Sequence, residues 1–214
     1  MSEIKKLDYS FYTRTDPIQI AKELLGKILI TRFNNVLTSG RIVETEAYAG
    51  VTDRASHAFG GRRTKRTETM YHKGGTAYVF LCYGMHHLFN IVTNEREIPH
   101  AILIRSVEPL QGIETMLKRT GKKKLDYTLT RGPGNVSKAM GLSTQHSAKS
   151  LLSNQIFLAD DGYRVANSQI GSTPRIGVDY AGEDAMLPYR FMIKENKYVS
   201  GKRGDRRLKT LGKG

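Results

Sequence analysis

Two glutamates stand beside an aromatic residue in the segment RIVETEAYAG, which spans residues 41–50. If this segment is a strand, its two-residue period places four alternate side chains on one face: Ile42, Glu44, Glu46 and Tyr48. Glutamate is uncommon in strands, so the pair is unusual. Two interpretations are open. The glutamates could form salt bridges on an exposed strand face, or one carboxylate could lie beside an aromatic pocket and act as a general base or electrostatic stabiliser.

A second segment, TAYVFLCYGMHHLFN over residues 76–90, carries aromatic side chains along a predicted strand and at its end. Tyr78 and Phe80 share one strand face. Tyr83 precedes Gly84, which indicates a tight turn between two strands of a hairpin. Tyrosines in strands usually belong to a half-buried core. An aromatic residue at a hairpin tip can instead act as a wedge between stacked bases.

The six histidines do not predict a metal site. His86 and His87 are adjacent on a predicted strand, so their side chains point in opposite directions. Neither HExxH nor the H-x-E…C-x-x-C pattern of zinc deaminases is present. His57 follows the glutamate strand closely and is a candidate, although a lone histidine is more often a hydrogen-bonding residue than a catalyst. The sequence also lacks the motifs of P-loop NTPases, serine hydrolases and NAD enzymes.

The charge of the chain indicates a polyanionic partner. The 214 residues include 34 Lys and Arg against 20 Asp and Glu, a formal net charge of +14. The excess lies in a loop over residues 62–66, in the run 122–124 and in the last fourteen residues. Any one run could be a solvated loop, but basic loops on a neutral-looking core favour contacts with phosphates. None has the apolar face of a membrane-binding helix.

Composition excludes several other classes. Hydrophobic residues make up 39% and charged residues 25%, as in an ordinary globular chain of single-domain length. No stretch approaches about 18 consecutive apolar residues, so no membrane span is predicted, and residues 1–20 lack a secretory pattern. The one cysteine, Cys82, excludes an internal disulfide and a cysteine zinc site. Together these features favour a cytoplasmic, nucleoid-associated setting.

The elements that must position these residues follow from local signals. Asp16 and Pro17 predict a helix start and Gly26 its end. Further helices are predicted over residues 112–119 and 136–140. Strands are predicted over residues 27–32, 41–48, 76–83, 88–93, 101–107, 156–159, 175–179 and 189–194. Because strands and helices do not alternate, we predict a single α+β domain over residues 1–214, with a curved, largely antiparallel sheet, surrounding helices and a flexible basic tail over about 201–214.

Six segments, in this order, carry a resemblance to a known family: GRIVETEAYAG, ASHAFGGRRTKR, GTAYVFLCYGMHHLFNIV, ILIRSVEPLQG, RGPGNVSKAMGL and RIGVDYAGEDAMLPYRF. Together they resemble the 3-methyladenine (alkyladenine, methylpurine) DNA glycosylases of the type that includes the mammalian alkyladenine enzyme, over about residues 15–200. The resemblance implies a monofunctional enzyme of base excision repair. It would act on double-stranded DNA containing damaged purines, as a monomer, with no metal or organic cofactor and no membrane.

The resemblance also implies the reaction and its residues. The family extrudes alkylated or deaminated purines from the duplex and hydrolyses the N-glycosidic bond, leaving an abasic site. Glu46 matches the general base, Arg105 a residue that helps to hold the attacking water, and the Ile176 carbonyl a third water contact. Glu44 lies on the same predicted face as Glu46 and remains the alternative carboxylate.

Other matches concern the base and the duplex. Tyr48 and Phe80 match two aromatic residues that stack on the extruded base, and His57 matches a polar contact to it. Asn90 matches a residue that discriminates against the exocyclic amine of guanine. Tyr83 matches the residue inserted into the duplex where the nucleotide has left.

The remaining implied contacts are to the DNA backbone, and they involve Arg62, Arg63, Lys65, Arg66 and Gly134. Three departures from the mammalian pattern bear on substrate range. Phe80 replaces a tyrosine, the pair Gly134-Asn135 replaces Ser-Lys, and Met85-His86-His87 replaces a more aromatic stretch.

Two alternatives differ in function class. A non-catalytic nucleic-acid-binding module would explain the charge and would lose affinity with salt, but it would release no free base. A cytosolic enzyme acting on a small acidic substrate would not bind undamaged duplex.

Overall fold

The computed structural model describes residues 4–201, so of the predicted basic tail only Gly201 lies within the described residues. The strands in this part of the chain are β1 (Lys5–Lys6), β2 (Ile28–Phe33), β3 (Val36–Tyr48), β4 (Thr76–Cys82), β5 (His86–Thr93), β6 (His100–Gln111), β7 (Ile156–Asp160), β8 (Ile170–Thr173) and β9 (Arg190–Ile193). The α-helices are α1 (Tyr9–Tyr12), α2 (Pro17–Glu23), α3 (Ile113–Thr120) and α4 (Pro133–Met140).

Short 3₁₀ helices lie in the connections, at Gly50–Thr52, Phe59–Gly61, Glu68–Tyr71, Tyr127–Leu129, Thr144–His146, Asn167–Gln169 and Asp179–Met186. Over residues 4–201, no helix has the length and apolar character needed to cross a membrane.

The strands form one curled sheet in which neighbouring strands are antiparallel, in the order β1-β7-β2-β3-β6-β5-β4. The sheet forks along β3. The first half of β3 pairs with β2, whereas Glu44–Glu46 pair with β9, which also pairs with β8. The register between β3 and β6 shifts between Ile42 and Glu44 and again before Thr45, as a β-bulge does. The α+β class and the largely antiparallel sheet are confirmed.

The two faces of the sheet have different tasks. The residues of β4, β5 and β6 that face the helices are apolar and join a core with α2, α3 and α4: Ala77, Val79, Phe89, Ile91, Ile102 and Ile104. The alternate residues line a cavity on the other face: Tyr78, Phe80, Leu88, Asn90, Ala101, Leu103 and Arg105. Strand periodicity therefore separates the core from a potential site.

Local signals explain the helices that build this core. The Asp16 carboxylate accepts hydrogen bonds from the amides of Ile18 and Gln19, at 2.8 and 3.1 Å, and Pro17 occupies the first turn of α2. Gly26 follows with a φ of +89°, a conformation suited to glycine. The predicted start of this helix is confirmed, and the helix ends at Glu23, three residues before the predicted Gly26.

Two details of the sequence prediction are wrong. Residues 175–179 do not form a strand, because Arg175 is buried in a network of side-chain and backbone acceptors and Gly177 has a φ of +77°. The strand in this region is β8, which precedes them. Ile42 was expected to share the face of the glutamates, but it packs in the helix-facing core, next to the bulge in β3.

Two glycines that flank α3 provide a matched test of this packing. Gly112 and Gly121 both have a φ of +74°. A Cβ atom at Gly112 would lie 2.3 Å from the Leu37 carbonyl oxygen, whereas a Cβ at Gly121 would meet nothing within 4 Å. We expect Gly121→Ala to lower the free energy of unfolding by about 1 kcal/mol and Gly112→Ala by about 3 kcal/mol or more, measured by urea denaturation. Equal losses would contradict the described approach of β3 to α3.

Candidate active site

A cavity of about 680 Å³ opens on the face of β4, β5 and β6 that turns away from the helices. Its lining includes five aromatic side chains, Tyr48, Tyr78, Phe80, Tyr83 and Tyr180. Polar groups converge on it from β5, β6 and the loop before β4. The volume lies within the range of small-molecule sites, and the aromatic lining suits a planar ligand.

A buried arginine joins the two glutamates of β3. The Arg105 guanidinium contacts Glu44 through Nε at 2.9 Å and Glu46 through Nη1 at 3.2 Å. Both glutamate side chains are fully buried, so of the two open interpretations the exposed strand face is excluded. Arg190 on β9 adds a second cation, with its Nε 2.7 Å from Glu44 Oε1. The cluster thus pairs two carboxylates with two guanidinium groups in a buried setting, where unpaired charges would be costly.

Glu44 is saturated by hydrogen bonds. Its Oε1 accepts from Arg105, Arg190 and the Ser200 hydroxyl, and its Oε2 accepts from the Ser106 hydroxyl and the Ser200 amide, all at 2.7–2.9 Å. Burial on its own would raise the pKa of Glu44, but the charges of Arg105 and Arg190 and these hydrogen bonds lower it to about 2. A carboxylate has about four acceptor positions, so Glu44 has none left for a water.

Glu46 has a different set of partners. Its Oε2 accepts from the Tyr48 hydroxyl at 2.9 Å, and its Oε1 accepts from the Ile176 amide at 2.8 Å and contacts Arg105. These three contacts leave about one acceptor position. The structure therefore brings three predicted residues, Glu46, Arg105 and Ile176, to one point, although the contact from Ile176 is made by its N–H.

Arg175 explains how a segment distant in sequence reaches Glu46. Its guanidinium is fully buried and forms a two-pronged salt bridge with Asp53, at 2.5 and 2.8 Å. It also donates to the Ala47 carbonyl on β3, at 2.9 Å, and to the Asp184 carbonyl. These contacts fix the neighbouring Ile176 amide against the end of β3.

The Tyr48 ring belongs to the same assembly. The Arg175 guanidinium lies 4.8 Å from the ring centroid, and the ring packs on a small cluster that contains Ala55 and Val178. Burial and then the Glu46 charge raise the pKa of Tyr48 well above its ordinary value. Its hydroxyl therefore stays protonated and donates to Glu46.

His57, Tyr78 and Phe80 form another part of the cavity wall. The Phe80 ring lies 5.4 Å from Tyr78 and 4.6 Å from His57, centroid to centroid, with His57 edge-on. His57 Nδ1 is 2.9 Å from the Tyr78 hydroxyl. Burial and then the charges of Arg66 and Arg62 lower the pKa of His57 to about 4, so the imidazole is neutral at physiological pH.

Asn90 is held rigidly in the cavity wall. Its side-chain amide donates to the carbonyls of Tyr78 and Leu88, both at 3.2 Å. The residue is almost completely buried. A ligand in the cavity would therefore meet a fixed side chain rather than one that can move aside.

Tyr83 lies at the tip of the hairpin between β4 and β5, as predicted. It is 85% exposed, and its φ of +49° precedes a φ of +69° at Gly84. A left-handed backbone is unfavourable for a tyrosine. The adjacent Met85 is also exposed, so the tip presents an apolar surface beside the cavity.

The predicted backbone-contacting cations differ in their surroundings. Arg62, Arg63, Lys65 and Arg66 are all exposed in the loop that follows Phe59–Gly61. Arg63 forms salt bridges with Glu68 and Glu97, so part of its charge is balanced within the loop. Arg66 lines the cavity instead.

Gly134 lies in the first turn of α4 and also lines the cavity. A Cβ there would lie only 3.0 Å from the His86 ring, so glycine permits close packing against the hairpin. The other predicted basic run follows α3, and Lys122 donates to the Thr128 hydroxyl at 2.6 Å.

Sequence reasoning missed several residues of the site, among them Ser106, Arg175, Tyr180, Arg190 and Ser200. Arg175 and Arg190 lie in the last segment that carried the resemblance, but nothing local marks them as partners of residues more than 120 positions earlier. Between residues 4 and 201, no group of three or more His, Cys, Asp or Glu side chains is arranged to hold a metal ion.

The site combines a buried carboxylate, an aromatic cavity and an exposed hairpin tyrosine on a strongly basic chain. These are the parts expected of an enzyme that acts on a base taken out of a nucleic acid duplex. The family model described as methylpurine-DNA glycosylase matches residues 10–197, and the chain belongs to this family.

Similar proteins support the same assignment, and those compared bear the name "Putative 3-methyladenine DNA glycosylase". One from Chlamydia felis is 44% identical over 196 residues, covering 90% of this chain and all of the relative. One from Clostridium perfringens is 42% identical over 205 residues, covering 92% of this chain and all of the relative. One from Desulfitobacterium hafniense is 39% identical over 206 residues, covering 93% of this chain and all of the relative. These relatives are bacterial. The family assigns the chain a DNA glycosylase role in DNA repair.

Glu44→Gln tests how much the hydrogen-bonded Glu44 carboxylate contributes to the stability of the fold. The amide would turn N–H groups toward the donors that now contact Glu44 and leave Arg105 and Arg190 incompletely paired. We expect the free energy of unfolding at pH 7 to fall by about 3–5 kcal/mol in urea denaturation. The exposed Glu114→Gln on α3 is the control, with an expected change within about 0.5 kcal/mol. A loss at Glu44 as small as the control would show that its contacts do not support the fold.

The low pKa of His57 predicts an acid-side loss of stability. The unfolded chain takes up this proton near the ordinary pKa of about 6.5, whereas the folded protein takes it up near 4. The contribution of His57 is therefore complete above about pH 6.5 and decreases as the pH falls toward 4. Imidazole NMR of the folded protein should give a midpoint near 4 for His57. A midpoint near 6.5 would contradict the buried, neutral ring.

Proposed function

We propose that this protein extrudes alkylated or deaminated purines from duplex DNA and hydrolyses their N-glycosidic bond with a water activated by Glu46. One observation carries the proposal. Glu46 is a fully buried carboxylate whose three partners, Tyr48, Arg105 and Ile176, line the aromatic cavity and leave it about one acceptor position for a water. Its neighbour Glu44 has no such position.

The reaction requires little more than this carboxylate. The C1′–N9 bond breaks and its electron pair leaves with the base, while the water oxygen bonds to C1′ and the water proton passes to Glu46. The sugar is positively charged in between, and a buried carboxylate stabilises that charge. An alkylated purine is already cationic and becomes neutral as it leaves, so it needs little acid assistance.

Arg105 fits the task of holding the water. Two of its five N–H groups donate to Glu44 and Ser200, and Nη1 forms an ion pair with Glu46 at 3.2 Å. Arg105 therefore keeps N–H groups for a water or the sugar. The Ile176 carbonyl is the third proposed water contact, and Arg175 fixes the segment that carries it.

Selection of the base is assigned to the cavity wall. Tyr48 and Phe80 would stack on the extruded purine, and their faces attract cationic bases. His57 would form a polar contact as a neutral imidazole, and the rigid Asn90 would exclude the exocyclic amine of guanine. We expect 3-methyladenine as a substrate, and 7-methylguanine, hypoxanthine and ethenoadenine as members of the range to be measured.

Binding to the duplex is assigned to the rim. Tyr83 would fill the space left by the extruded nucleotide. Extrusion costs the least free energy at damaged base pairs, because these pairs open most easily. Arg62, Arg63, Lys65 and Arg66, together with the start of α4 at Gly134, would contact phosphates. None of the described residues that line the cavity is a lysine. This supports a water nucleophile and base release without strand cleavage.

Glu46→Gln tests the proposal directly. Single-turnover reactions on duplexes carrying one lesion each should release 3-methyladenine with the wild type. With Glu46→Gln the release should fall at least about 100-fold, since the water loses its base. Lesion binding, measured by fluorescence anisotropy, should persist. Glu114→Gln controls for the loss of one negative charge.

Two results would contradict the proposal. Undiminished base release by Glu46→Gln would exclude Glu46 as the general base. Binding to DNA without release of any base by the wild type would favour the non-catalytic nucleic-acid-binding module.

A further inference from the structure

Arg66 stands out among the basic loop residues because it covers a ring of the cavity. Its guanidinium carbon lies 4.8 Å from the centroid of the Phe80 ring, within the range of a cation–π interaction. Phe80 is half-buried and lines the same cavity. The loop cation therefore contacts the same ring on which the proposed function stacks the purine.

The charge of Arg66 is not balanced by a salt bridge, in contrast to the charges of Arg63 and Arg105. Arg63 pairs with Glu68 and Glu97, and Arg105 pairs with Glu44 and Glu46. Over residues 4–201, the salt bridges within 4.0 Å include none made by Arg66. A base on Phe80 would thus meet a positive charge that no described carboxylate neutralises.

The effect of this charge extends into the cavity. After burial, Arg66 is the largest cause of the low pKa of His57, and it also opposes the rise in the pKa of Tyr78. His57 and Tyr78 are both neutral and cannot offset the charge. Among the described charged residues that line the cavity, Arg66 is the one whose guanidinium contacts the Phe80 ring.

We propose that Arg66 is a specificity-determining residue that disfavours cationic purines relative to neutral ones. A cationic base and the Arg66 guanidinium are attracted by the same π-system and repel each other. A neutral base such as hypoxanthine stacks on Phe80 without that repulsion. This inference rests on the proposed function and refines its substrate class: the balance between cationic and neutral lesions is set by a residue of the DNA-binding loop.

The experiment compares Arg66→Gln with Arg62→Gln. Each variant removes one positive charge from the same loop, so both should lose affinity for DNA phosphates, but only Arg66 contacts Phe80. Single-turnover rates are measured with saturating enzyme on duplexes of one sequence that carry 7-methylguanine or 3-methyladenine as the cationic base, and hypoxanthine or ethenoadenine as the neutral one. Arg66→Lys keeps the charge and weakens the planar stacking.

In Arg66→Gln we expect the ratio of cationic to neutral base release to rise about three- to tenfold over the wild type. Arg62→Gln should change this ratio by no more than about twofold from the wild type. The ratio for Arg66→Lys should lie between those for Arg62→Gln and Arg66→Gln. A ratio in Arg66→Gln that matches that of Arg62→Gln would overturn the inference and leave Arg66 as a phosphate contact. Release of none of these bases by the wild type would instead overturn the proposed function itself.

Discussion

The contact of one buried guanidinium with two carboxylates is the interaction on which the site depends. Arg105 on β6 contacts both Glu44 and Glu46 on β3, and all three side chains are buried. Two negative charges two positions apart on a strand face would repel each other and lose their hydration. Arg105 and Arg190 offset both costs. The cluster also holds β3 against β6 and β9, at the fork where the register of the sheet shifts.

The two glutamates have the same chemistry and different environments, and the environments divide their roles. Glu44 lies at the fork, where Ser106, Ser200 and Arg190 fill its acceptor positions. Glu46 is held by three residues that line the cavity, and it keeps about one acceptor position. We therefore interpret Glu44 as the anchor that orients Arg105, and Glu46 as the reactive carboxylate.

The sequence predicted those parts of the fold whose signals are local. The capped helix α2, the hairpin with Tyr83 at its tip and the α4 helix that ends at Gly141 depend on neighbouring residues. The roles implied for Glu46, Arg105 and Tyr48 came from a resemblance, and the structure places these three side chains in contact.

The parts that could not be predicted depend on distant contacts. Glu44 meets Arg190 and Ser200 across about 150 residues, and no strand pattern marks that pairing. Arg175 begins a segment whose alternate apolar residues resemble a strand, but its charge is paired with Asp53, and the backbone turns to bury this salt bridge. The bulge that displaces Ile42 lies in the pairing of β3 with β6, and no glycine or proline stands between Ile42 and Thr45 to mark it. The Arg66–Phe80 contact likewise requires a loop to fold back over a strand.

In the proposed mechanism, Glu46 faces the positive charge that develops on the sugar. This role can be tested by measuring the affinity of the protein for two duplexes, one with a cationic pyrrolidine and one with a neutral tetrahydrofuran in place of the nucleotide. The pyrrolidine mimics the charged sugar, whereas the tetrahydrofuran does not. The wild type should bind the pyrrolidine duplex about tenfold or more tightly than the tetrahydrofuran duplex, and Glu46→Gln should lose most of that preference. An unchanged preference in Glu46→Gln would contradict the account, because another group would then be stabilising the charge.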